Sequence, residues 1–277
     1  MKETKISRQR ERIIGGLDTE TVERIMSPRN DIIFKRLFGA IGRENIVKDF
    51  LEAILNVKID EVILGEETIL LADEFNEKAS VLDVKVKLED GTEVDIEMQN
   101  TQSQFIVKRS HYYASKMYTG QLKAGKDYKE LKKVIVIFIT NFNIFSKIED
   151  YHTVWKMMEK NQQIQCFDEI ELHYIEMPKF LESKFDKKRK IDQWLLFIDY
   201  TRKELLKDVM KENENVKKAA EELEKMRKDE HEQYLAWARE VFLMDIEAYK
   251  ETARIEFTEK VNSVFYNNEY GRSQDRR

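Results

Sequence analysis

Residues 81–99, VLDVKVKLEDGTEVDIEMQ, are the stretch that most restricts what this chain can fold into. Apolar and polar side chains alternate on both sides of Glu89-Asp90-Gly91. Alternation with a period of two indicates half-buried β-strands, because successive side chains point to opposite faces of a sheet. The pattern therefore predicts a β-hairpin with one apolar and one charged face.

The length of the turn decides which side chains face each other. A two-residue loop at Asp90 and Gly91 would set Asp83 opposite Met98, which puts a carboxylate on the apolar face. A three-residue loop with Gly91 in the left-handed conformation pairs Asp83 with Glu97 instead. We predict the second arrangement, in which two acids oppose each other with Cβ atoms about 4.5–5.5 Å apart.

Two facing carboxylates repel each other unless positive charge lies between them. A hard divalent cation such as Mg²⁺ suits them, because it takes oxygen ligands and keeps several waters. The alternative is a solvated polar face with ordinary cross-strand ion pairs, Lys85 with Asp95 and Lys87 with Glu93. The spacing alone leaves both interpretations open.

A family resemblance favours the metal site. Asp83, a turn and then Glu97-Met98-Gln99 resemble the PD-(D/E)XK nuclease signature, and more narrowly the Rpn-type nucleases, the PD-(D/E)XK nuclease family transposases. In the narrower pattern glutamine stands where the superfamily usually has lysine. The similarity covers about residues 28–145 and includes NDIIFKRLFG (30–39), FLEAIL (50–55) and RSHYYASKMYTGQLKAGKDY (109–128).

The resemblance implies a Mg²⁺-dependent DNA endonuclease of the kind associated with mobile elements or recombination, with Mn²⁺ as an alternative ion. It implies that Asp83 and Glu97 bind the metal, with the backbone carbonyl of Met98, and that Gln99 belongs to the catalytic set. A neutral amide orients water but cannot stabilise a developing anion as an ammonium does.

The resemblance also places Asp31 and Lys35, the Asp and Lys of a D-x-x-F-K segment, near the active site. Lys35 or Lys85 could then supply the charge that Gln99 lacks. The residues themselves equally allow a helix cap at Asp31 and a solvated helix face at Lys35.

Residues 105–122 predict a helix, on which one face combines aromatic and basic side chains, namely Phe105, Arg109, Tyr112 and Lys116. Arg109, Tyr112 and Lys116 are candidates for contacts with the DNA backbone. The alternative is that this face packs on neighbouring elements. Acids dominate residues 60–100 and bases dominate 101–135, which is weak support for a metal pocket beside a phosphate-binding strip.

The order of elements predicts an α/β fold with a restriction-endonuclease-like core, α-β-β-β-α-β. That order comes from helices at 31–38 and 44–55, a first strand or strand pair from Val62 to Leu71 broken at Gly65, the hairpin, the helix at 105–122 and the buried strand Val134 to Thr140. Ile170 to Met177 adds a strand. We predict a polar arm at 1–27 with a short helix at 19–25, a nuclease-like domain at 28–180 and a helical region at 181–277.

Residues 211–260 are rich in Glu, Lys and Ala and contain no Pro or Gly, so they predict one or two long helices. A homo-oligomer could form through these C-terminal helices, although no sustained apolar heptad is present.

The longest apolar run is too short to cross a membrane, and the N-terminus lacks the apolar segment of a secretory signal. A lone Cys166 forms no internal disulfide. We expect a cytoplasmic protein whose partner is DNA and not a membrane. Two other functions stay open: an inactive DNA-binding or interaction module on the same scaffold, and a metal-dependent phosphoesterase for small molecules.

Overall fold

The computed structural model describes residues 13–65, 83–123, 125–165 and 167–274, with side chains throughout except at Asp83 and at 262–274. The chain divides into two compact units, Met1–Ala236 and Trp237–Arg277. The first unit contains the sheet. The second unit is the continuation of one long helix.

The first unit begins with α1 (Thr19–Ile25), α2 (Asp31–Phe38) and α3 (Glu44–Leu55). The side-chain oxygen of Asn30 accepts hydrogen bonds from the backbone N–H groups at the start of α2, which satisfies donors that have no partner inside the helix. All three helices lie where the sequence predicts them.

The sheet has six strands in the order β1-β2-β3-β4-β6-β5 within the described part of the chain. Its central pairs, β3 with β4 and β4 with β6, are parallel, and the other pairs are antiparallel. The strands are β1 (Val62–Leu64), β2 (Asp83–Leu88), β3 (Glu93–Gln99), β4 (Val134–Thr140), β5 (His152–Lys156) and β6 (Ile170–Glu176).

The hairpin of β2 and β3 has the predicted register. The N–H of Leu88 donates to the carbonyl of Thr92 at 2.8 Å, and Gly91 adopts a φ of 89°. This is the three-residue loop, and it sets Asp83 opposite Glu97. A non-glycine residue would be strained at this φ, so Gly91 is what allows the loop to close.

Helix α4 (Ile106–Gly120) covers one face of the sheet. Its Ile106 and Ala114 pack in one apolar cluster with Val134, Val136 and Phe138 of β4. Partly buried Tyr113 and Met117 pack against the same cluster, so they point to the sheet. Every residue of β4 is buried, which is typical of a strand covered on both faces.

A second core joins α2 and α3 to the helices that follow the sheet. The rings of Phe38 and Phe50 have centres 5.8 and 5.5 Å from that of Trp194. Asp49 of α3 accepts a hydrogen bond from the Trp194 indole N–H at 2.9 Å. These helices are α5 (Met177–Glu182), α6 (Lys190–Asp199), α7 (Lys203–Glu212), α8 (Glu214–Met226) and α9 (Glu230–Gln274).

The predicted α/β fold class is confirmed: a mixed sheet flanked by helices, followed by a C-terminal helix. Two details were wrong or missing. Residues 211–260 form parts of three helices and not one or two, because Asn213 is extended and caps α8. Edge strand β5 was not predicted, since HTVWK is short and does not alternate cleanly between apolar and polar side chains.

Two predictions are not decided by these elements. The predicted continuation of β1 to Leu71 falls mostly at 66–82, outside the described residues. The domain boundary at residue 180 stays a prediction, while the compact unit that contains the sheet extends to Ala236. Within the ranges that the structure describes, no helix is both long and apolar enough to traverse a bilayer.

Candidate active site

The polar side chains of β3 lie beneath α4 and not in solvent. The parallel register sets Asp95 beside Val136 and Glu97 beside Phe138, and those two β4 residues belong to the α4-covered core. Asp95 is 2% and Glu97 4% exposed. The alternative of a solvated polar face is therefore wrong for Asp95 and Glu97, because β3 is an inner strand of the sheet and α4 packs over this part of it.

Glu97 is the centre of the buried polar group. Its Oε2 accepts a hydrogen bond from Nη2 of Arg109 at 2.7 Å and another from Nε2 of Gln99 at 2.6 Å. Gln99 reaches it along the same face of β3, and Arg109 reaches it from α4. A buried carboxylate needs such donors, because burial without them would be strongly unfavourable.

Arg109 is held in place by aromatic side chains. Its Nε donates to the Tyr113 hydroxyl at 3.1 Å, and its Cζ lies 5.3 Å from the centre of the Tyr113 ring and 5.9 Å from that of Phe138. Burial opposes its charge, but Glu97 and Tyr113 outweigh this effect and raise the pKa of Arg109 above its ordinary value. Arg109 is thus a fixed, permanent cation at Glu97.

The Arg109 side chain is partly accessible to solvent. The side chain is 37% exposed, and its Nη1 makes no hydrogen bond to any residue that the structure describes. Arg109 therefore joins the buried carboxylate to the solvent side of the site.

Asp83 on β2 lies directly opposite Glu97 on the adjacent strand β3. Its side chain is outside the described part of the structure. Directly opposite residues of two antiparallel strands have Cβ atoms about 4.5–5.5 Å apart. Among the described side chains, no group of three or more His, Cys, Asp or Glu residues could hold a metal ion. Metal binding by Asp83 and Glu97 stays a prediction.

Asp31 and Lys35 lie on α2, which contacts both β2 and β3. The Asp31 carboxylate accepts a hydrogen bond from the N–H of Ile32 at 3.0 Å, whereas Asn30 is the N-cap of the helix. Lys35 is 2% exposed, so a solvated helix face is wrong for it. The catalytic role of both residues stays a prediction.

The predicted basic and aromatic stripe of α4 divides in two. Tyr112 is 61% exposed and Lys116 is exposed, so both are accessible to a partner. Arg109 instead turns toward the hairpin and Glu97. Contact of these three residues with DNA stays a prediction.

An open cavity of about 750 Å³ lies between the hairpin and α4. Its lining includes Asp95 and Tyr113, the neighbours of Glu97 and Arg109, together with Lys87, Glu93 and Lys116. Lys87 and Glu93 are in register, yet they form no ion pair with each other or with the rest of the described chain. The site thus has adjoining space with a mixed charged and aromatic lining.

Sequence reasoning missed the contact between Arg109 and Glu97. The available signal was the spacing of Arg109 and Tyr113, which lie one helical turn apart just after the acidic strand. It also missed Arg29, whose Nε donates to Asn141 at 2.9 Å. Asn141 in turn bonds to Asn100, next to Gln99. The contact between Arg29 and Asn141 joins residues that are 112 positions apart in the sequence.

A family model described as "PD-(D/E)XK nuclease family transposase" matches residues 28–253. The match includes α2, the hairpin, α4 and the helices as far as the first half of α9. A search of curated proteins found no match, and neither did a search of solved structures.

Proposed function

Because this chain belongs to the PD-(D/E)XK nuclease family transposases, we propose that it is a metal-dependent endonuclease that hydrolyses phosphodiester bonds in DNA. The observation that carries the proposal is the hairpin register, in which Asp83 faces Glu97. The family supplies the class of reaction, and the register supplies a pair of acids at the two positions of the family's motif.

The acids fit a divalent cation by their chemistry. Asp83 and Glu97 would hold Mg²⁺, with Mn²⁺ as an alternative, because carboxylate oxygens are the ligands these hard ions prefer. The backbone carbonyl of Met98 would add a third oxygen. When bound, such an ion polarises a phosphate oxygen and lowers the pKa of a water molecule.

The other residues would position the reacting groups. Gln99 donates its amide N–H to Glu97, which orients the carboxylate, and its carbonyl oxygen can accept a hydrogen bond from water. Asp31 and Lys35 are proposed to support the acids from α2. Tyr112, Lys116 and Arg109 are proposed to contact the sugar-phosphate backbone, a role that suits side chains with N–H and O–H donors.

Plasmid cleavage tests the proposal. With Mg²⁺ present, the wild type should nick or linearise DNA, and Asp83→Ala should lose at least about 100-fold in rate, because it removes a metal ligand. Glu89→Ala is the matched control, since Glu89 is an exposed acid in the turn of the same hairpin. Equal cleavage by Asp83→Ala and the wild type would show that the site is elsewhere.

The competing function is a DNA-binding or interaction module that retains the scaffold without catalysis. Isothermal calorimetry with Mn²⁺ separates the two. A nuclease site should bind the ion in the wild type and lose that binding in Glu97→Gln, which keeps the shape of the side chain but not its charge. Identical heats from both proteins would favour the module.

We also propose that α9 mediates self-association. Its exposed apolar side chains Phe242, Tyr249 and Phe257 are seven and eight residues apart, which keeps them toward one side of the helix. Sedimentation velocity over a range of concentrations checks this proposal. A monomer throughout that range would refute it.

A further inference from the structure

The motif of this chain lacks a cation. Gln99 stands at the position where the superfamily's signature has lysine, and an amide carries no charge. Transfer of a phosphoryl group spreads negative charge over the phosphate oxygens, so a positive group close to them lowers the barrier. Beside the metal ion, a cationic side chain near the phosphate would supply the charge that lysine provides in the signature.

We propose that Arg109 is this residue: its guanidinium replaces the missing lysine, binding Glu97 through Nη2 and the scissile phosphate through Nη1. The inference rests on the proposed nuclease function. It assigns Arg109 a catalytic role, beyond general contact with the DNA backbone.

The shared acceptor is the main argument. Nη2 of Arg109 and Nε2 of Gln99 both donate to Oε2 of Glu97, at 2.7 and 2.6 Å. Two donors on one oxygen lie within a few ångströms of each other. The cation from α4 is therefore beside the side chain whose position lysine occupies in the signature.

Arg109 is also better placed than the two lysines that the sequence suggests. Lys85 lies across from Asp95, two cross-strand pairs away from the pair of Asp83 and Glu97. Lys35 is almost completely buried on α2, so a substrate that arrives from solvent cannot reach it without a rearrangement. Arg109 is partly exposed, and its Nη1 points to no described hydrogen-bond partner.

The surroundings of Arg109 suit a preorganised cation. The Tyr113 hydroxyl fixes Nε, and the Tyr113 and Phe138 rings flank the guanidinium. A guanidinium binds phosphate oxygens through N–H groups in a fixed plane, and it stays protonated at any working pH. Arg109 thus contributes charge and no proton. The water oxygen bonds to phosphorus as the bond from phosphorus to the leaving ester oxygen breaks. The proton that the attacking water loses to solvent is balanced by one that the leaving alkoxide takes up from solvent.

The test moves the positive charge from position 109 to position 99. Arg109→Ala should cleave plasmid about 100-fold more slowly than the wild type, and Arg109→Lys should lose less. Adding Gln99→Lys to Arg109→Ala should recover at least tenfold, because the ammonium returns to the signature position. Lys108→Ala is the matched control, since Lys108 is an exposed neighbour on α4 whose ammonium lies 5.8 Å from the centre of the Phe105 ring.

Two further measurements separate this role from a structural one. The slope of log affinity for DNA against log salt should fall by about one in Arg109→Ala, since one phosphate contact is lost. Binding of Mn²⁺ by calorimetry should persist in Arg109→Ala, because the acids remain. Thermal unfolding identifies any variant that fails to fold, and Arg109→Lys with the double variant then decides the outcome.

The possible failures are distinguishable. A wild-type protein that cleaves no DNA overturns the nuclease proposal and this role together. Cleavage by Arg109→Ala at the wild-type rate overturns this role alone. An inactive Arg109→Ala with an unchanged salt slope and no recovery from Gln99→Lys also overturns it, and identifies Arg109 as a support for Glu97 only.

Discussion

Two buried glutamates of the sheet, Glu97 on β3 and Glu171 on β6, have opposite surroundings. Both are less than a tenth exposed. The residue across the strand from Glu97 is Asp83, another acid, whereas the residue across from Glu171 is Lys156. An acid opposite an acid needs a cation from elsewhere, and an acid opposite a lysine does not.

The cluster around Glu171 contains its own cations. Its Oε2 lies 2.7 and 2.8 Å from the ammonium groups of Lys133 and Lys156, and its Oε1 accepts a hydrogen bond from His173 at 2.7 Å. Burial raises the pKa of Glu171, but His173 and the two lysines outweigh burial and hold that pKa far below its ordinary value. Burial of a carboxylate therefore does not identify a catalytic site. The charge of the cross-strand partner is more informative.

The largest expected difference is between Glu97→Gln and Glu171→Gln. Glu97→Gln should reduce cleavage at least about 100-fold, with a smaller change in stability, because the lost contact with Arg109 is offset by the end of the repulsion between Glu97 and the opposing acid Asp83. Glu171→Gln should leave cleavage within a few-fold but lower the free energy of unfolding by about 3 kcal/mol, because two lysines lose a buried partner. Plasmid cleavage and urea unfolding measure the two effects. Loss of cleavage in a folded Glu171→Gln protein would break the distinction.

The next effect is a pH dependence of stability at the Glu171 cluster. His152 lies 2.9 Å from His173, and burial, followed by His173, lowers the pKa of His152 from 6.5 to about 4. Between these pH values the unfolded chain binds a proton that the folded chain does not. Stability should therefore fall as pH decreases from 6.5 to 4, by at most about 1.4 kcal/mol per unit.

Urea unfolding at several pH values checks this expectation, with His152→Gln as the variant that should flatten the curve. His111→Gln is the control, because His111 is exposed on α4. A wild type and a His152→Gln protein with parallel curves would show that His152 does not contribute.

The smallest expected effect concerns the hydrogen bond between Arg109 and the Tyr113 hydroxyl. Tyr113→Phe removes the hydroxyl that accepts from Arg109 Nε and should slow cleavage about fivefold, the equivalent of one ordinary hydrogen bond. Tyr174→Phe removes a buried hydroxyl that bonds to Ser110 and lies two strands from Glu97, so it should not change the rate constant. Rate constants that fall equally in both variants would mean that general packing, and not the Arg109 contact, is affected.

Much of the fold is predictable because its signals are local. Alternation in residues 81–99 and the left-handed Gly91 define the hairpin, and the apolar run at Val134–Thr140 defines a strand with two covered faces. Local signals are weaker in short segments whose structure depends on contacts with other elements or on a single side chain. Strand β5 forms only because β6 is beside it, and the break at Asn213 depends on one capping side chain.

The candidate site is predictable to a lesser extent. The opposition of Asp83 and Glu97 follows from the turn, but the burial of Lys35 and of Asp95 does not, since it depends on which helix covers which face. Arg109 was expected to face DNA along with Tyr112 and Lys116. Its observed contact with Glu97 required the position of α4 over β4 and β6.

The sequence by itself determined that two acids oppose each other on a hairpin, because side-chain alternation and turn length are properties of neighbouring residues. Only the tertiary structure decided that Glu97 is buried and that Arg109 is its cation. That contact depends on how an entire helix packs on strands β4 and β6, which come later in the chain, and no spacing within the motif contains this information.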